Sequence, residues 1–212
     1  MEAEKNSCLK PSAGQAAKRL FIALRFSAEE QDALARSRDA VLERLRTGRP
    51  SPTANIHLTL VFLGMLDSTV EGRAAEALRS AARECGPVTL SLGSLGAFER
   101  GRRGIVWRGV SLQEGLLVLQ RTLVRELTVR GLSVDEKPFV PHVTLVRGAR
   151  PADDTSDLQL VCEEVSRELP SLETRHTEVA LMWSHHPEGE QLTYTPILTA
   201  PLRGRHDSPP TQ

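Results

Sequence analysis

"NIHLTLVFLG", residues 55–64, decides how this chain is read. Its density of Leu, Val, Ile and Phe marks a strand, yet His57 and Thr59 interrupt it. Residues i and i+2 of a strand point to the same face. His57 and Thr59 therefore share one face, while Leu58 and Leu60 point the other way, into a core. "FVPHVTLVR", residues 139–147, repeats the pattern, with His142 and Thr144 on one face and Val143 and Leu145 on the other. A single histidine in a strand is usually a hydrogen-bonded structural residue. With ordinary Thr and Leu frequencies, however, a given histidine has on the order of a 1% chance of being followed by x-Thr-Leu. The chain holds only six histidines, so the recurrence reads as functional.

The segments around the two motifs alternate between strand and helix patterns. "RLFIALRF" (19–26) reads as a first strand, and Ser27 with Glu30 is a capping box opening a helix that stops near Gly48. Ser68 with Glu71 opens a second helix, with Val70, Ala74, Ala77, Leu78, Ala81 and Cys85 at helical spacing and Gly86 beyond its end. "VTLSLGSL" and "GIVWRGV" are strands joined by the basic, glycine-containing link "FERGRRG" (98–104). Ser111 with Glu114 opens a helix through Leu116, Leu119, Leu123 and Leu127 that closes at Gly131. "LSVDE" is a strand leading to the second motif, and "EVALMWSH" and "LTYTPILTAPL" form a final pair joined by the turn "HPEGEQ". This order is α+β, and one motif in each half, 85 residues apart, suggests an approximate duplication.

The 212 residues suffice for one large domain or two small lobes. Lys plus Arg and Asp plus Glu are 27 each, so any polyanion must be met by a local patch rather than by net charge. No apolar run approaches the ~20 residues of a membrane span, and no secretory signal is visible. Three widely spaced cysteines, without a CxxC pair, suggest neither a zinc site nor a disulfide framework. A cytoplasmic location follows as the expectation. Residues 1–17 and 203–212 read as disordered tails, leaving 18–202 as a single folded domain.

Two imidazoles converging on one cavity suit phosphoryl chemistry. One must be neutral to take a proton from water, the other charged to give a proton to a leaving alkoxide. Histidine's ordinary pKa of ~6.5 lets both forms coexist near neutrality. Repulsion across one site favours a singly protonated pair. The threonine hydroxyls are suited to donate to non-bridging phosphate oxygens. The scheme needs neither a metal nor a cofactor.

At these residues the chain resembles the two-histidine phosphoesterases, and within them the bacterial and archaeal 2′-5′ RNA ligase family, also described as RNA 2′,3′-cyclic phosphodiesterases. "RLFIAL", "NIHLTLVFLG", "LGSLGAF" with its basic loop and "IVWRGV", and "FVPHVTLVR" carry the resemblance over nearly all of 19–202. It implies a bilobal α+β fold with two pseudo-symmetric lobes of mainly antiparallel sheet, outer helices and a central cleft. It implies hydrolysis of an RNA 2′,3′-cyclic phosphate to a 2′-phosphate, on tRNA halves or short oligonucleotides, with reversible 2′-5′ ligation in some members. His57 is implied as general acid and His142 as general base, with Thr59 and Thr144 on the phosphate. The family's aromatic five residues after the first His is Phe62, and its Arg five after the second is Arg147. Strict strand alternation puts both on the wrong face, so these two need an irregularity in each strand. The stretch "WSHHPEG" departs from the family pattern, and His185 and His186 read as turn residues rather than metal ligands. Arg100, Arg102 and Arg103 read as a solvated loop that could reach RNA phosphates. His176 and His206 have no evident partner. The expected partner is RNA with a cyclic end, bound by a monomer without membrane contact. Two other readings stay open: an RNA-end binding module without turnover, and an enzyme for a small cyclic nucleotide.

Overall fold

The computed structural model describes residues 17–100, 103–135, 137–153, 157–187 and 191–204. Of the expected tails at 1–17 and 203–212, residues 1–16 and 205–212 with His206 lie outside the described residues, as do the loop residue Arg102 and turn residues 188–190.

Strand β1 (Lys18–Arg25) is buried on both faces. Leu20, Ile22 and Leu24 are fully enclosed in the main core, while Phe21 and Ala23 join Ala180 and Met182 on the opposite face. Ser27 then starts α1 (Ala28–Leu42) through the expected capping box: its hydroxyl accepts from the Glu30 amide at 3.3 Å, and the Glu30 carboxylate accepts from the Ser27 amide at 2.7 Å. The helix ends at Leu42, short of Gly48, because the chain enters β2 (Leu45–Pro50), "LRTGRP". Thr, Gly and Pro are weak helix formers, and strand β6 offers this segment backbone partners.

A short 3-10 turn (Thr53–Asn55) leads into β3 (His57–Leu66), the first motif strand. Helix α2 (Ser68–Glu84) is capped by Asp67, whose carboxylate accepts from the Val70 amide at 2.9 Å; the expected cap, Ser68, is already helical. Strands β4 (Val88–Arg100) and β5 (Arg103–Val110) form the expected hairpin. Helix α3 (Glu114–Val129) starts at Gln113, not Ser111, and has no side-chain cap, because the Gln113 amide donates to Ser91 Oγ instead. No strand forms among the described residues of "LSVDE": Leu132 is a buried anchor after Gly131, whose φ of +73° turns the chain out of α3. Strand β6 (His142–Pro151) carries the second motif. Helix α4 (Leu158–Ser166) and strand β7 (Leu172–His176) have no counterpart among the expected elements, although Leu158, Val161, Cys162 and Val165 recur at helical spacing and are buried. Strands β8 (Glu178–His185) and β9 (Thr193–Pro201) close the fold. Arg203 and Gly204, read as tail, donate their amides to Ala82 and Cys85 carbonyls at the end of α2.

The strands form two antiparallel sheets, ordered β3-β1-β8-β9 and β2-β6-β5-β4-β7. The expected α+β fold of two similar lobes is present. In each lobe a motif strand pairs antiparallel with a strand from earlier in the chain, β3 with β1 and β6 with β5. The halves of the chain are interleaved. β4 comes from the first half yet lies in the second sheet, and β8 and β9 come from the second half yet complete the first. Helix α1 packs on β2 and β6, while α3 packs on α2, β3 and β4. One continuous core of buried Leu, Ile, Val and Ala side chains joins elements of both sheets. Neither sheet is complete without strands from both halves.

Candidate active site

The two motif strands deviate from regular alternation at matching places. On β3 the register with β1 slips between Val61 and Thr59, so Leu60 is an extra residue; on β6 the register with β5 slips between Val146 and Thr144, so Leu145 is extra. Each is a β-bulge, in which two residues oppose one on the partner. Its sequence cause is visible afterwards. Leu60 with Val61, and Leu145 with Val146, are adjacent apolar pairs that are all buried, which a flat strand does not permit. The bulge reverses the alternation, so Phe62 and Arg147 return to the face of the histidines and are exposed there. The irregularity that the two carry-over positions needed is therefore present in both strands. A second slip follows each, with Leu63 extra on β3 and Gly148 extra on β6; Gly148 and Gly64, the residue after Leu63, have φ values of +64° and +77° that suit glycine.

The histidines are anchored identically. His57 Nδ1 lies 2.7 Å from the Asn55 carbonyl, and His142 Nδ1 lies 2.7 Å from the Val140 carbonyl. A carbonyl can only accept, so Nδ1 carries the proton in each neutral ring and Nε2 is the free pole. In His57 that pole accepts from Thr59 Oγ1 at 2.9 Å. Aromatic rings wall both imidazoles. Phe21 and Tyr194 lie 4.8 and 5.1 Å from His57, and Phe98 and Trp107 lie 5.0 and 6.1 Å from His142. Asn55, buried, secures the wall: its amide donates to the Leu192 carbonyl at 2.6 Å and its oxygen accepts from the Tyr194 amide at 3.2 Å.

A cleft of about 300 Å³ is lined by Arg19, Phe21, His57, Thr59, Phe62, Arg147, Ser184, Leu192 and Tyr194. Arg147 arrives from the second lobe, and β3 and β6 lie against each other. The Arg19 guanidinium sits 5.1 Å from the Phe62 ring centre, on the cleft rim. Thr144 shares the face of His142, and its carbonyl accepts from Ser51 Oγ at 3.0 Å.

Electrostatics modify the expected singly protonated pair. Burial pushes His57 down to about 4, helped by the positive charges of Arg147 and His142, against the raising effect of the Asn55 hydrogen bond. Burial also lowers His142, and Arg147 adds to this. In the free protein at pH 7 both rings are therefore neutral.

The remaining histidines stand apart. His176 is buried, with Nδ1 donating to the Arg25 carbonyl at 3.1 Å and Nε2 accepting from Thr174 Oγ1 at 2.8 Å, a structural role. His185 ends β8, stacks on Trp183 at 3.9 Å and bonds Thr195 Oγ1 through Nε2 at 2.9 Å; His186 is exposed. Among the described residues, no three His, Cys, Asp or Glu side chains gather where they could hold a metal ion. Sequence reasoning missed Arg19, Phe21, Asn55, Phe98, Trp107 and Tyr194. Asn55 was within reach, two residues before His57, but the aromatic walls depend on which strands pair.

The family model of the 2′-5′ RNA ligase superfamily matches residues 23–188. The chain belongs to that superfamily. It is 28% identical over 185 residues to the RNA 2′,3′-cyclic phosphodiesterase of Geobacillus stearothermophilus, covering 85% of this chain and 58% of the relative. The enzyme of the same name from Escherichia coli K12 is 35% identical over 135 residues, 63% of this chain and 74% of the relative. Among solved structures, Escherichia coli LigT complexed with 3′-AMP superposes with a TM-score of 0.69 at 26% identity, over 88% of this chain and 98% of that one. A protein of Thermus thermophilus gives 0.70 at 28%, over 89% and 100%. No helix among the described residues is long and apolar enough to cross a membrane.

Proposed function

We propose that this superfamily member is an RNA 2′,3′-cyclic phosphodiesterase that opens the cyclic phosphate at an RNA end to a 2′-phosphate. The observation that carries the reading is the pair of imidazoles, each fixed by an Nδ1–H to a backbone carbonyl two residues earlier, with Arg147 close enough to shift both. Relatives named for this activity support it.

In the reaction, water adds to phosphorus and the P–O3′ bond breaks. His142 takes the water proton at Nε2, and His57 gives its Nε2 proton to the departing 3′-oxygen. Arg147, Thr59 and Thr144 hold the non-bridging oxygens, whose charge grows in the transition state. Phe62 offers a face for the terminal base. Entry of the phosphate anion offsets the burial and the Arg147 charge that keep His57 neutral, so the acid is formed as the substrate binds. The role assignment rests on the family resemblance. In this scheme side chains alone carry the hydrolysis. An oligonucleotide ending in a 2′,3′-cyclic phosphate, incubated with excess EDTA, is expected to yield a 2′-phosphate end. Loss of turnover under EDTA with recovery on adding a divalent ion overturns the scheme.

A further inference from the structure

Arg147 has a cross-strand neighbour that the reaction does not use. β2 pairs with β6 so that Arg49 stands directly opposite Arg147. Residues directly opposite in an antiparallel pair share a face, about 5 Å apart at Cβ, and like charges there are destabilising. Both side chains are exposed, and among the described residues neither forms an ion pair with a carboxylate. The same segment connects the two motifs. After Pro50 the chain donates the Ser51 amide to the Leu145 carbonyl and Ser51 Oγ to the Thr144 carbonyl, then reaches Asn55 and His57. Arg49 is thus held beside the phosphate site by backbone bonds, in an arrangement that costs energy unless an anion lies over it.

We propose that Arg49 is a second phosphate-binding residue: it holds the phosphodiester one nucleotide 5′ of the cyclic end and makes the site favour RNA strands over cyclic mononucleotides. This rests on the hydrolase reading above. A cyclic phosphate closes the 3′ end of a strand, so the next phosphate lies on the 5′ side of the same ribose. Two long side chains leaving the sheet side by side can splay, Arg147 onto the cyclic phosphate and Arg49 onto its neighbour. β2 is the edge strand of its sheet, so no further strand among the described residues pairs beyond Arg49.

The test compares Arg49→Gln with wild type on adenosine 2′,3′-cyclic phosphate, on the same nucleotide bearing a 5′-phosphate, and on a tetranucleotide with a cyclic end. Loss of one charged phosphate contact is expected to lower kcat/KM about tenfold on the last two, and less than twofold on the first. The dependence of log kcat/KM for the tetranucleotide on log salt should flatten by about 0.7. Arg49→Lys should keep most of the wild-type value. The Arg49→Gln protein should unfold at the same temperature as wild type or higher, since a like-charge pair is relieved. An equal loss on all three substrates, or no loss on the tetranucleotide, overturns the subsite while leaving the hydrolase reading intact. A wild type that opens none of the three overturns both.

Discussion

Burying His57 should make the protein acid-sensitive in a window that one substitution removes. The folded value is about 4, against an ordinary 6.5, with burial as the main cause. Between pH 6.5 and 4 the unfolded chain therefore binds a proton that the folded chain refuses. Stability is full above 6.5 and falls as pH drops through the window, with no further loss from this group below about 4. Integrating those two values between pH 7 and pH 4.5 gives a loss of about 2.5 kcal/mol from His57 alone. His142 and His176 are lowered in the same direction and add to the wild-type total. His57→Asn removes only the His57 share: its amide can still donate to the Asn55 carbonyl, but it does not titrate. Urea unfolding of both proteins at pH 7 and pH 4.5 supplies the four free energies. The variant should lose about 2.5 kcal/mol less than wild type on acidification, whatever its stability at pH 7. Equal losses for the two proteins would refute the account of His57 as a buried, neutral imidazole.

His57→Asn and His142→Asn should each lower turnover roughly 10²–10⁴-fold; on a substrate whose 3′-leaving oxygen is sulfur, which needs little protonation, only His57→Asn should be rescued, and rescue of His142→Asn instead reverses the two roles. The pH profile of kcat/KM, which reports the free protein, should be a bell centred below 6.5, with the kcat optimum at higher pH because bound phosphate raises the histidines. Arg147→Gln removes a positive charge that lowers both rings, so both limbs of the kcat/KM bell should move to higher pH while its height falls; an unmoved bell contradicts the placement of Arg147. Asn55→Ala leaves the Leu192 carbonyl and the Tyr194 amide without their partner, and should cost about 2–4 kcal/mol in urea unfolding, with kcat reduced as the Tyr194 wall loosens; a stability within 0.5 kcal/mol of wild type, roughly the spread of neutral surface substitutions, counts against that wall being anchored by Asn55.

The sequence by itself determined the face that carries the two histidines and two threonines. Side-chain alternation is a local property of a strand, so His57 with Thr59 and His142 with Thr144 could be placed together from spacing alone. The capping box at Ser27 and Glu30 was equally local, and the structure keeps it. Tertiary structure decided what depends on a partner strand. Helix α1 ends before Gly48, where its sequence pattern places the stop, because "LRTGRP" becomes a strand where β6 offers backbone groups to pair with. Whether Phe62 and Arg147 face the cleft turned on one extra residue in each motif strand. A bulge exists only relative to the strand across from it, even though its trace, the doubly buried pairs Leu60–Val61 and Leu145–Val146, is written in the chain. The same holds for the charge state of the pair. Histidine's ordinary pKa suggested one proton shared between two rings; burial among Phe21, Tyr194, Phe98 and Trp107, and the charge of Arg147, which reaches His57 from the other lobe, lower both. Those neighbours are distant in sequence, so only the folded packing could reveal them.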